Sequence, residues 1–175
     1  MDLKKFLLLL LAVCGFSACS RDDEGSLFVE PCTEWGASVS DVKSFMKGCA
    51  ITVVDDEDDD YLSYLDVKTR NLVPYTVVYD YDFCNGKLDA SCVYIMGTTE
   101  KQQQEINAEF LTFFRGKYVE VPLSSFPEEY EDDDYEDDME TEILAAFANE
   151  DKSVCVVVGT FVGMNSIVAS YSYEF

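Results

Sequence analysis

The sequence predicts an α+β fold: two halves, each a helix followed by four strands, forming antiparallel sheet with the helices packed on one face. Three observations predict it. Phe45-Met46-Lys47-Gly48 and Phe113-Phe114-Arg115-Gly116 share one pattern 68 residues apart, and a strand-like run follows each. Asn85-Gly86 separates two alternating segments, a strong short signal for a two-residue hairpin turn. The Tyr- and Val-rich segments alternate with period two, as strands with one buried face do.

The first helix opens at Ser38-Val39-Ser40-Asp41, where a capping hydroxyl precedes an acid by three residues. Val42, Phe45 and Met46 then share a face. Thr99-Glu100-Lys101-Gln102 opens the second helix, and Ile106, Phe110, Phe113 and Phe114 form its apolar stripe. Gly48 and Gly116 are read as left-handed caps, each after a cation suited to a helix end. Strands are expected at 49–54, 61–67, 75–84 and 87–96 in the first half, residues 32–98. In the second half, residues 99–175, they are expected at 117–121, 143–149, 152–160 and 166–175.

The Asn85-Gly86 turn predicts the pairs Cys84 with Lys87, Phe83 with Leu88, Asp82 with Asp89 and Tyr79 with Cys92. Alternation then places Val77, Tyr79, Tyr81, Phe83, Leu88, Ala90, Cys92 and Tyr94 in the core. Asp80, Asp82, Lys87, Asp89 and Ser91 fall on the opposite, wet face, the candidate interaction face, with Lys87 offsetting the acids. In the last strand Ile167, Ala169, Tyr171, Tyr173 and Phe175 are expected to point in.

The N-terminus carries an export signal over residues 1–18: Lys4 and Lys5, the apolar run Phe6–Val13, then small residues. Eight apolar residues are too few for a spanning helix, which needs about 20. Phe16-Ser17-Ala18-Cys19 resembles the lipobox of bacterial lipoproteins, with Phe16 in the place of the usual aliphatic residue. The resemblance implies that Cys19 is acylated and becomes the first mature residue, anchored in a membrane by several acyl chains. Ser20-Arg21-Asp22-Asp23-Glu24 resembles the acidic signal that sends Bacteroidota lipoproteins to the outer leaflet, so the expected address is the outer membrane surface. Residues 19–31 are read as a lipidated acidic tether.

Trp35-Gly36-Ala37-Ser38, Val42-Lys43 and Phe45-Met46 look like the opening of small Bacteroidota surface lipoproteins of unassigned function. The tandem of helix and four strands is similar in outline to the β-lactamase-inhibitor-protein fold, whose eight-stranded sheet carries its helices on one face. That outline implies a topology and no activity.

The full chain has 35 acidic and 12 basic residues and no histidine. Without residues 1–18 the balance is 34 to 10, a net charge of −24, which repels nucleic acid and anionic lipid heads. The missing histidine excludes His-dependent triads, Cys–His nucleophiles and His-ligated zinc. No phosphate-binding loop, dinucleotide glycine pattern or nucleophile elbow is present.

The acidic runs at Asp55–Asp60 and Glu128–Asp138 lack the glycine of a shaped calcium loop and read as solvated loops, capable at most of weak calcium binding. Cys32, beside the tether, is expected to be exposed, while Cys49, Cys92 and Cys155 are expected in strands. Trp35 is read as packing the chain entry against the first helix. The expected function is a non-catalytic binding module with a protein or glycan partner and no cofactor. A calcium-binding surface protein and a carboxylate-dependent hydrolase are the alternatives.

Overall fold

The computed structural model describes residues 26–49, 51–55, 60–125 and 141–173. Cys19, the acidic run 128–138, most of the run 55–60, and Phe175 lie outside them. Helix α1 spans Val39–Gly48, and strands β1 Thr52–Asp55, β2 Tyr61–Arg70, β3 Val73–Cys84 and β4 Lys87–Gly97 follow. Helix α2 spans Glu100–Lys117, before β5 Val119–Val121, a 3-10 turn at Leu123–Ser125, β6 Thr141–Ala148, β7 Cys155–Phe161 and β8 Ser166–Ser172. The strands form one antiparallel eight-stranded sheet in the order β1-β2-β3-β4-β8-β7-β6-β5. The fold is thus α+β, with β4 and β8 adjacent at the middle of the sheet.

Local chemistry accounts for the helices. Ser38 caps α1 in a complete capping box, its side chain accepting from Asp41 N–H while the Asp41 carboxylate accepts from Ser38 N–H. Thr99 accepts from Gln102 N–H at the start of α2. The Gln102 side chain does not return to Thr99, because its Oε1 accepts from Thr98 instead. Gly48 and Gly116 were expected as left-handed caps, but both are helical residues, and neither is among the glycines with positive φ. The α1 cap is Cys49, in right-handed geometry, whose N–H bonds back to Phe45 and Met46 carbonyls. Cys49 is therefore a helix terminus and no part of a strand.

The two helices share one side of the sheet. Met46 Sδ of α1 accepts from the Tyr81 hydroxyl, and Phe114 of α2 stacks on Phe147 and packs against Tyr171. Tyr81 pairs across Ser91 to Tyr171, so these rings lie on the same face. Val42, Met46, Ile106, Phe110 and Phe114 complete a core with Leu62, Tyr64, Tyr79, Ile95, Val158 and Ile167. Tyr173, expected to join it, is 57% exposed, because β8 pairing ends at Ser172.

The tether expectation needs its boundary moved. Leu27, Phe28 and Cys32 are buried at 3–5% exposure, inside the core. The segment 26–32 lies along β3 as a strap fixed by tyrosine hydroxyls: Tyr75 donates to Leu27 C=O, Val29 N–H donates to Tyr79, and Cys32 N–H donates to Tyr81. Phe28 inserts among Phe110, Phe113 and Phe114, with centroids 4.9–6.3 Å away. Glu30 closes the strap onto the end of α2 through Lys117 and Tyr118. Cys32 is thus buried where exposure was expected. Trp35, expected to pack the chain entry against the first helix, packs against the core and donates its indole N–H to Ser153 C=O, between β6 and β7, at 2.7 Å.

Candidate functional site

The candidate face depends on the β3–β4 hairpin, whose turn residues Asn85 and Gly86 have φ of 52° and 69°. That geometry is the one an Asn-Gly turn favours. The first two pairs are as expected, Phe83 with Leu88 and Cys84 with Lys87. A bulge then follows: Asp89 is the extra residue, and Asp82 pairs with Ala90, Asp80 with Cys92 and Tyr79 with Val93. One inserted residue turns every later side chain of β4 to the other face.

The bulge corrects both sides of the assignment. Ser91, expected on the wet face, is fully buried and donates to Cys32 C=O at 3.2 Å. Val93 and Ile95 take the core positions, while Ala90, Cys92 and Tyr94 turn to the face of Asp80 and Asp82. Cys84 and Cys92 accordingly share a face. Lys87 forms a backbone bridge with Ser38; the Ser38 hydrogen bonds hold Asp41 below the usual carboxylate range, and Lys87 adds a smaller pull. It therefore serves the α1 cap, and the offset expected from it for Asp82 is not made.

Four of the expected residues are thus divided. Asp80 and Asp82 stand together on the open face, with Asp89 near enough to act on Asp82, and Lys87 faces the α1 cap. Around the two acids the structure adds Tyr61 and Ser63 from β2, Cys92 and Tyr94 from β4, and Ser170 from β8. Ser63 Oγ donates to Asp80 Oδ1 at 2.6 Å. The Tyr61 hydroxyl is pushed up to about 12, first by burial and then by its hydrogen bond to Asp80. Cys92 Sγ donates to Ser170 Oγ at 3.2 Å across the β4–β8 seam. Burial raises the Cys92 thiol, with Asp82 and Asp80 adding to the effect, so it stays protonated and weakly nucleophilic. Tyr94 stacks on Phe161 with centroids 5.8 Å apart.

Partial loss of hydration, and then Asp80 and Asp89, hold Asp82 above the usual carboxylate range. Two like charges with few cations nearby make this a surface of unspent hydrogen-bond acceptors, able to receive donors or a cationic group. The face is also less wet than the alternation predicted. Val67 is 61% exposed, and Leu65 and Met96 are both partly exposed beside the polar cluster.

Among the described residues no three Cys, Asp or Glu side chains converge as metal ligands. A cleft of about 300 Å³ lies elsewhere, between the first turns of α2 and the β7–β8 turn, lined by Gln104, Asn107, Glu142 and Asn165 among others. None of Asp80, Asp82 and Asp89 lines it. Among the described residues no helix is long and apolar enough to cross a membrane. Comparisons with protein-family models, curated proteins and solved structures find no match to this chain.

Proposed function

We propose that the protein is an outer-membrane surface lipoprotein of the Bacteroidota kind, acylated at Cys19, whose open sheet face binds a protein or glycan partner without catalysis. The observation that carries the binding part is the cluster of Tyr61, Ser63, Asp80, Asp82 and Ser170 on the face opposite the helices, bordered by exposed Leu65, Val67 and Met96. Polar acceptors beside apolar side chains are the usual make-up of a recognition surface. The anchor part rests on Phe16-Ser17-Ala18-Cys19 and the acidic residues after it.

We further read the two halves as copies of one helix-plus-four-strand unit. The strand order supports this, since each half is a meander and the two meet through their last strands.

A pull-down from envelope extract with the native protein and a triple variant, Asp80→Ala, Asp82→Ala and Asp89→Ala, tests the face. The variant is expected to lose a partner that the native protein recovers, and unchanged recovery removes this face as the binding surface. Palmitate labelling is expected for the native chain and absent from Cys19→Ala. Label retained in that variant refutes the anchor.

A further inference from the structure

We propose that the tip of the β2–β3 hairpin, carrying Leu72, is a second contact of this protein with a lipid surface, beside the point where the anchored N-terminus enters the fold. The inference rests on the acylation of Cys19 proposed above.

The strap sets which end of the molecule faces the anchor. Its hydrogen bonds run from Leu27 at Tyr75 through Val29 at Tyr79 to Cys32 at Tyr81, the same direction as β3. Its N-terminal end therefore lies at the start of β3. Leu72 is three residues before Tyr75, about 10 Å along a strand. Cys19 and Ser26 are seven residues apart, so their Cα atoms are separated by at most about 25 Å on any path. An acyl-bearing Cys19 thus keeps this end of the molecule, with its hairpin tip, close to the bilayer.

The tip projects and is held firmly. β4 begins its pairing with β3 at Tyr75 and Gly97, so Val73 and Pro74 pair only with Arg70 and Thr69. Gln102 Nε2 donates to the carbonyls of Val73 and Pro74, and Arg70 pairs with Glu109 of α2. Lys68 pairs with Asp66. The cations nearest the tip are thus matched by acids, and what the tip offers outward is apolar.

The turn itself is built against its local interest. Asn71 and Leu72 have φ of 50° and 67°. Asn tolerates that region and Gly prefers it, whereas a Leu there crowds its Cβ against the backbone. The Leu72 side chain is 95% exposed, so no packing offsets the strain. Val67 lies on the same hairpin. A strained backbone that displays an isobutyl group at the end nearest an acyl anchor fits insertion into the interfacial layer of a bilayer.

The test uses the full lipidated chain in phosphatidylcholine vesicles, with and without bromine on the acyl chains, which quenches indole by contact. Trp35 is an internal reference. It lies beside the Leu88 end of the sheet, ~35 Å along β3 from the tip, bonded to Ser153. The native protein is expected to emit equally in both vesicles. Leu72→Trp is expected to lose most of its added emission in brominated vesicles, and that emission is expected to be blue-shifted. Val67→Trp reports on the same hairpin should the first variant fold poorly. Equal emission from both variants in brominated and plain vesicles, for protein that floats with the vesicles and carries acyl chains by mass spectrometry, overturns the tip contact and leaves the anchor standing. An unacylated Cys19 overturns the anchor, and the tip contact falls with it.

Discussion

At Leu72 and Asp82 the native residue is not the one that local stability prefers. Leu72→Gly removes the steric cost of a left-handed L-residue, about 1–2 kcal/mol, and adds the backbone entropy of Gly, about 0.5–1 kcal/mol. With the side chain 95% exposed, no buried surface is lost. The variant is expected to gain about 0.5–1 kcal/mol in chemical denaturation, and a loss would show that the Leu72 side chain supports the fold. Asp82 is held above its unfolded range, so its ionised form costs stability in the folded state. That cost is absent at pH below the unfolded value and appears as pH rises through the folded value. Asp82→Asn is therefore expected to be more stable than the native protein at pH 7 in urea unfolding, by less than about 1 kcal/mol because solvent screens the site. The advantage should shrink as pH falls through the upper carboxylate range, and a difference independent of pH would refute the assignment of the strain to charge.

The strap of residues 26–32 ties the sheet tyrosines to the phenylalanines of α2. Phe28→Ala empties a site among three phenylalanines and is expected to destabilise by about 3–5 kcal/mol. Tyr81→Phe leaves the buried Cys32 N–H without its acceptor, for about 1–3 kcal/mol. Urea unfolding measures both, and near-neutral results would mean that the strap detaches at little cost. Both helices and the Asn85-Gly86 hairpin were legible in the sequence because caps, apolar stripes and turn residues are local signals. The strap was not, because Leu27-Phe28-Val29 stands between acidic residues and meets its partners, Tyr75, Tyr79 and the α2 phenylalanines, only some 50 to 85 positions on. The bulge at Asp89 was equally hidden. Ala90-Ser91-Cys92 is small at each position and reads as well in either register, until Val93 and Ile95 are seen to displace Cys92 and Tyr94 from the core. The candidate face was thus half legible, with Asp80 and Asp82 placed correctly and Ser91 misplaced by one inserted residue.

Over the whole molecule, 35 acidic residues against 12 basic ones set a self-repulsion that short-range pairs offset only locally. Raising ionic strength from about 0.01 to about 0.15 M shortens the screening length from about 30 to about 8 Å. Relief of ~1 kcal/mol corresponds to about 2–4 °C in Tm for a domain of this size. A Tm that stays flat or falls would mean that local ion pairs dominate the balance.

The β4–β8 seam has a consequence in time. Cys92 and Ser170 touch across it though 78 residues apart in the chain. Each is on the last strand of its own meander, so the two meanders can join only when Ser166–Ser172 is at hand. A chain made from its N-terminus can form the β3–β4 hairpin early, but the middle of its sheet waits for β8. Long loop closure of this kind slows folding. The β4 edge therefore stays without its β8 partner until Ser166–Ser172 arrives, and only that pairing joins the two meanders into one sheet.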